Sequence, residues 1–193
     1  EPSCDNVNQA IAKAKEKGCD VVIGLGGGSV IDVAKAVAVL ANKDGLVEEF
    51  MSGRDLIFPG IPCIVIPTTA GTGAEVTPNS VLIDRKRQVK ESLRHHFLYP
   101  RAAIIDAELT ISLPPKITAY SGADALCQAM ESYVSKGANI LTDAIAMQAI
   151  RLVSFNLREA FKNGSNIQAR QNMLYAALLS GISLSNARMG AIH

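Results

Sequence analysis

Residues 21–41, VVIGLGGGSVIDVAKAVAVLA, pass from an apolar β-branched run through three consecutive glycines into a helical pattern. That order constrains the fold more than any other stretch. A run apolar at every position suits a parallel strand covered on both faces, and parallel strands require long, usually helical, crossover connections. The neighbouring sequence repeats the theme. DNVNQAIAKAKEKG places Val7, Ala10, Ile11 and Ala14 at helical spacing and ends in Gly18, which reads as a helix and its C-terminal cap. After NKDGLVEEFMSGRDLIFPG, read as a loop, IPCIVIP repeats the buried-strand signal. SVLID, QVKES and AAIID read as further strands, with the charged turn DRKR after the first. Alternation of helix and apolar strand over residues 1–106 predicts an α/β layer architecture.

From about Leu109 the texture changes. PPKITAYSGADALCQAMESYVS, ILTDAIAMQAIRLVSFNLREAF and NIQARQNMLYAALLSGISLSNA all carry 3.6-period apolar patterns, with no strand-like run between them. The expected boundary lies near AELTISLPP, where Pro114 and Pro115 open the next helix. This predicts an α/β domain over residues 1–108 and an all-α domain over 109–193. Internal repeats and low-complexity tracts are absent from the sequence.

Composition narrows the function class. Of 193 residues 48% are hydrophobic, enough for a sizeable core. Nineteen basic and 18 acidic residues are spread along the chain, with neither the basic footprint of a nucleic-acid binder nor an acidic tail. The apolar runs have strand length, short of the roughly 18 residues of a membrane helix, so no membrane partner is expected. Cys4, Cys19, Cys63 and Cys127 have neither paired nor metal-type spacing, which points to a reduced, cytoplasmic setting. The chain begins at Glu1 and stops at MGAIH, and is expected to be a fragment.

Three segments carry candidate chemistry. GLGGGS at 24–29 lies between strand and helix, where a phosphate could reach bare backbone and accept N–H groups from a helix N-terminus. The competing reading is a tight turn, which rarely needs three glycines. The motif is not the usual dinucleotide fingerprint. Ser29 stands at the third glycine position, and no acid-ending strand follows at the expected distance. IPTTAGTGAE at 66–75 leaves a buried strand with three threonine hydroxyls and two glycines, suited to a ribose or phosphate, or to an ordinary polar loop. Two such loops at strand carboxyl ends strengthen the ligand reading. Finally, DALCQ sets Asp124 and Gln128 four apart, on one helical face. They point at a metal, a substrate or each other; Asp124 also reads as a first-turn charge at a helix N-terminus. His95 and His96 read as a solvated loop, DRKRQVK as a charged hairpin turn whose Lys90 could reach an anion, and the Met147 and Met173 helices as core.

In combination, GGGSVIDVAKAVA, PTTAGTGAEVTPNSVLID, AAIIDAELTISLPP, GADALCQAMESYVS and NARMGAIH resemble the iron-containing (group III) alcohol dehydrogenase family, within the wider dehydroquinate synthase-like fold. The resemblance covers nearly the whole chain, although the family chain is longer at both ends. It implies that the first strands of the nucleotide domain and part of the helical domain are missing. It further implies an NAD- or NADP-dependent oxidoreductase interconverting a small alcohol and an aldehyde or ketone in an interdomain cleft, with a homodimer as one assembly. By resemblance, Gly26, Gly27, Gly28 and Ser29 would carry the pyrophosphate with Asp32 nearby. Thr68, Thr69 and Thr72 would face the ribose and nicotinamide, and Lys90 the ribose. The family holds a divalent metal, usually iron and sometimes zinc, on one Asp and three His. Asp124 matches the Asp, and His193 matches the first His of the G-x-x-H motif.

The sequence departs at Gln128, where most members have a histidine ligand. An amide oxygen is harder and weaker than imidazole for iron or zinc. Metal-assisted hydride transfer is the leading expectation. A metal-independent reductase like the maleylacetate reductases is the alternative, and a non-catalytic nucleotide-binding fragment the third. A lyase of the dehydroquinate synthase type needs a basic helical half for its anionic substrate, and few basic residues lie there.

Overall fold

The computed structural model describes residues 2–187. The described residues form two compact units, 2–66 with Pro78–Ile104, and Pro67–Thr77 with 105–187. The loop 67–77 thus goes with the helices, although it was expected with the α/β half.

The first unit opens with α1 (Cys4–Glu16), capped by Ser3 accepting from the Asn6 N–H at 3.3 Å and charged to suit its dipole, with Asp5 first and Lys13 and Lys15 last. Its buried face, Cys4, Val7, Ile11 and Ala14, is the predicted stripe with Cys4 in place of Ala10. Then follow β1 (Val22–Gly26), α2 (Gly28–Leu40), α3 (Val47–Met51), β2 (Cys63–Pro67), β3 (Asn79–Asp84), β4 (Val89–Arg94) and β5 (Ala102–Ala103). The main sheet runs β1-β2-β5, with β2 and β5 parallel and Ile64 opposite Ala102. β3 and β4 form a separate antiparallel hairpin, Ser80 opposite Leu93 and Leu82 opposite Glu91. Helix α2 is apolar almost all round and packs on α1, β1 and β3, as a core helix must.

Three local expectations changed. β1 is not covered on both faces: Ile23 is 60% exposed and Leu25 55%, and only Gly24 faces inward. The stretch read as a loop contains α3, which buries Val47 and Phe50. β5 is two residues long, because after Ile104 donates to the Val65 carbonyl the chain turns. Asp106 then caps a 3-10 turn over Ala107–Thr110, accepting from the Glu108 N–H.

A buried ion pair ties α2 to the hairpin. Lys35, with a wholly buried side chain, lies 3.1 Å from Asp32 Oδ1, while Oδ2 accepts from the Val81 N–H at 3.0 Å and the Asp32 carbonyl from Ser80 Oγ at 2.8 Å. Removing one partner of such a pair strands a charge, whereas removing both does not. Lys35→Met is therefore expected to cost about 3 kcal/mol in urea unfolding, and adding Asp32→Asn to recover part of it. A single-variant loss no larger than that of the double variant would refute this account.

The second unit packs α4 (Pro115–Tyr133), α5 (Ile140–Lys162) and α6 (Ile167–Ala187) against one another. Pro115 sits at the first helical position of α4, as expected, and Asn139 caps α5 by accepting from the Leu141 and Thr142 N–H groups. Buried alanines, among them Ala125, Ala129, Ala146, Ala149 and Ala177, let the helix axes approach closely. Arg170 is buried at 3% exposure and donates to the Gly164 and Leu113 carbonyls and to Thr118 Oγ1. Contrary to the sequence reading, α5 is long and apolar enough to cross a membrane by length and composition, with a mean hydropathy of 1.3 over an 18-residue window. In this structure its Ala146, Ala149, Val153 and Ala160 stripe is buried within the helical unit.

Candidate functional site

The glycine turn is shaped by close approach. A Cβ on Gly24 would lie 2.7 Å from the Ala34 Cβ, so the strand can slide under α2 only without a side chain. Gly26 adopts φ +158°, and a Cβ there would meet Val30 at 2.7 Å. Gly27 is the N-cap, its carbonyl accepting from the Val30 and Ile31 N–H groups at 3.0 and 3.1 Å. Gly28 and Ser29 open the helix, where backbone N–H groups have no intrahelical acceptor and the dipole is positive. Ser29 is exposed. This is bare, donor-rich backbone of the kind a pyrophosphate needs.

Asp32, expected beside the cofactor, is 9% exposed and spends both carboxylate oxygens on Lys35 and Val81. It positions α2 rather than presenting a free oxygen. Lys90 stands exposed on β4, opposite Ile83.

The threonine loop is held by glycines. Gly73 takes φ +62°, and a Cβ on it would fall 2.6 Å from the Gly181 Cα of α6; one on Gly71 would fall 2.9 Å from the Ser121 Cβ of α4. Thr72 is exposed and its Oγ1 accepts from the Ala74 N–H at 3.2 Å, while Thr68 and Thr69 are half-buried. The loop therefore rests on α4 one turn before Asp124.

Asp124 and Gln128 do meet. Gln128 Nε2 donates to Asp124 Oδ2 at 2.9 Å. Exchanging the amide atoms would oppose two oxygens, so this orientation is the one the chemistry requires. Gln128 is 3% exposed, and its Oε1 is fully buried without a hydrogen-bond partner among the described residues. Asp124 lies well inside α4, which begins at Pro115, so its reading as a first-turn charge is excluded. The pair brings a carboxylate and an amide together on one helix, two groups whose oxygens are of the kind a cation takes.

Sequence reasoning missed the rest of this face. Glu131 is 5% exposed, one turn beyond Gln128, and Cys127 Sγ donates to its Oε1 at 3.6 Å. Burial, then Glu131 and Asp124, hold the Cys127 thiol above its ordinary pKa. The i, i+4, i+7 spacing of Asp124, Gln128 and Glu131 was the available signal. Burial pushes the Cys4 and Cys63 thiols up to about 11, which removes both as nucleophiles. No group of three or more His, Cys, Asp or Glu side chains able to hold a metal occurs among the described residues. His193 lies outside them.

An α/β unit with a glycine-rich strand-to-helix turn and an all-helical unit are thus present in one chain. The profile for iron-containing alcohol dehydrogenase matches residues 1–107, and that for the Fe-containing alcohol dehydrogenase family, C-terminal, matches residues 118–193. The chain belongs to the iron-containing alcohol dehydrogenase family. It is 44% identical over 193 residues to a sulfoacetaldehyde reductase of Bilophila wadsworthia, covering 100% of this chain and 50% of that one. It is 41% identical over 192 residues to a 1,3-propanediol dehydrogenase of Klebsiella pneumoniae, covering 100% and 50%. The crystal structure of sulfoacetaldehyde reductase from Bifidobacterium kashiwanohense in complex with NAD+ superimposes with a TM-score of 0.97 at 36% identity, covering 100% of this chain and 51% of that one. The chain thus spans about half the length of the curated relatives it matches. The expected α/β-then-helical fold is the family's.

Proposed function

We propose that this chain carries the cofactor turn and part of the metal site of an NAD-dependent oxidoreductase that interconverts a small alcohol and its aldehyde or ketone. The observation that carries the reading is the bare glycine turn at the N-terminus of α2, in a chain whose relatives include an NAD+ complex. Gly27, Gly28 and Ser29 offer backbone N–H groups to the pyrophosphate, and the open helix end adds a favourable field. Asp32 and Lys35 keep α2 in place beneath them. Thr68 and Thr69 supply hydroxyls for the ribose and nicotinamide side, with Thr72 Oγ1 turned to its own loop.

Asp124 and Gln128 are the residues that would hold a divalent metal, iron in keeping with the family, with His193 expected beside them. A bound metal supplies Lewis acidity that favours the alkoxide, and nicotinamide supplies the hydride acceptor. Asp124 contributes a half-buried carboxylate on α4, whose Ala125 and Ala129 are fully buried. Gln128 holds Asp124 in one rotamer through its N–H. A second reading, a metal-independent reductase, draws on that same hydrogen bond, since the pair is partly satisfied without a cation.

The test is fluorescence titration of the full natural chain with NADH, together with NAD+-dependent alcohol oxidation. Asp124→Asn preserves shape and removes charge. It is expected to lower kcat/KM at least ~100-fold, the scale on which a fixed electrostatic group acts, while NADH affinity is retained. Full activity in that variant, or no NADH binding by the natural chain, overturns the assignment.

A further inference from the structure

We propose that a cleft at the amino edge of the main sheet binds a small aromatic carboxylate, held by Arg101 and Tyr99. The cleft is built from segments 59–62 and 97–101, which lead into β2 and β5, and from one side of α2. It is distinct from the cofactor turn, which follows the carboxyl end of β1. The Val22 N–H donates to the Pro62 carbonyl, so β1 starts alongside β2 and the length of the strand separates the two places.

The cleft holds about 440 Å3, within the roughly 300–1,000 Å3 of small-molecule sites. Its walls are tied to each other by backbone. The Ile61 N–H donates to the Ala38 carbonyl of α2 at 2.9 Å, and the Arg101 N–H to the Cys63 carbonyl at 2.7 Å. Gly60 lies close on α2, where a Cβ would collide with the Ala38 carbonyl oxygen. Pro59, Pro62 and Pro100 restrict the backbone of both entering segments. The shape is therefore formed before a ligand arrives. Its charge is one-sided. Arg101 is exposed, and its guanidinium makes no hydrogen bond or ion pair among the described residues. Lys35 also lines the cleft, but its ammonium lies on Asp32. No Asp or Glu lines it among the described residues, and burial pushes the Cys63 thiol up to about 11, so it is uncharged at neutral pH. The open guanidinium takes a carboxylate through paired N–H donors. Beside it Tyr99, 46% exposed, and Phe97 offer rings to an aromatic body.

The experiment titrates benzoate calorimetrically into the full natural chain, with acetate as a carboxylate that lacks the aromatic body. Benzoate is expected to bind at least ~10-fold more tightly than acetate, because its ring leaves water for the apolar walls. Arg101→Gln is expected to weaken benzoate by ~10-fold or more, the scale of a lost hydrogen bond to a charged group. Tyr99→Ala is expected to weaken it by about 3-fold, the scale of an aromatic contact. Both side chains are exposed, so the variants are expected to fold as the natural chain does. NADH titrated in the presence of saturating benzoate is expected to bind with unchanged affinity. No benzoate binding by the natural chain, equal affinity for the two acids, or benzoate affinity unchanged by Arg101→Gln would each overturn the proposal. Competition between benzoate and NADH would place the acid at the cofactor turn and overturn it as well, while leaving the oxidoreductase reading intact.

Discussion

Gly27→Val is expected to raise the dissociation constant for NADH by at least ~100-fold while leaving the chain folded. The second half of that statement comes from the backbone. Gly27 sits at φ −76° and ψ −177°, an extended N-cap conformation that any residue adopts. Valine adds no backbone strain there, and its poorer capping costs about 1 kcal/mol. Gly26, by contrast, holds φ +158° against Val30, so its replacement would confound binding with strain. The first half comes from what the isopropyl group would cover. The N–H groups opening α2 are the donors left for a phosphate. Two charge-assisted hydrogen bonds are worth about 1.5–3 kcal/mol each, and tenfold in affinity corresponds to about 1.4 kcal/mol. Fluorescence titration with NADH measures the effect directly, with a circular dichroism spectrum to verify the fold. An affinity equal to that of the natural chain would remove the phosphate cradle from this turn.

Much of this architecture was legible in residue order. The glycine run between an apolar run and an amphipathic one announced strand, turn and helix, because side-chain period and glycine freedom are local properties. The three long helices were legible for the same reason, down to Pro115 at the start of α4. What failed was non-local. VVIGLG reads as doubly buried, yet Ile23 and Leu25 are exposed on β1, the edge strand of the described sheet in a chain that spans about half the length of its relatives. The loop 67–77 follows β2 directly and so was read with the α/β half. Its assignment to the helices is decided by Gly73 and Gly181 meeting across more than a hundred residues of chain.

The candidate site divides in the same way. Spacing alone placed Asp124 and Gln128 on one face, and Gln128 Nε2 donating to Asp124 Oδ2 answers part of what they point at. The buried, unpartnered Oε1 is a property of packing, and only the fold reveals it. Asp32 was chosen for its nearness to the glycines. Its partners Lys35 and Val81 lie one on the same helix and one on the hairpin, and the second was invisible to a linear reading.

The contact between Gly73 and Gly181 yields the largest expected effect on stability. Gly73 occupies the left-handed region at φ +62°, where a β-branched residue carries about 1–2 kcal/mol of strain. The added Cβ would also lie 2.6 Å from the Gly181 Cα and 2.8 Å from the Ala177 carbonyl oxygen, both backbone atoms of α6 that cannot rotate away. Relieving such overpacking costs about 1–3 kcal/mol even where side chains can adjust. Gly73→Val is therefore expected to destabilise the helical unit by about 4 kcal/mol. Gly181→Ala separates the two causes. It lies in helical backbone without φ strain, but its Cβ would stand 2.6 Å from the Gly73 carbonyl oxygen. It should therefore show the packing share alone, about 2 kcal/mol. Urea unfolding followed by circular dichroism reads both stabilities. A Gly73→Val variant as stable as the natural chain would mean that the loop does not rest on α6.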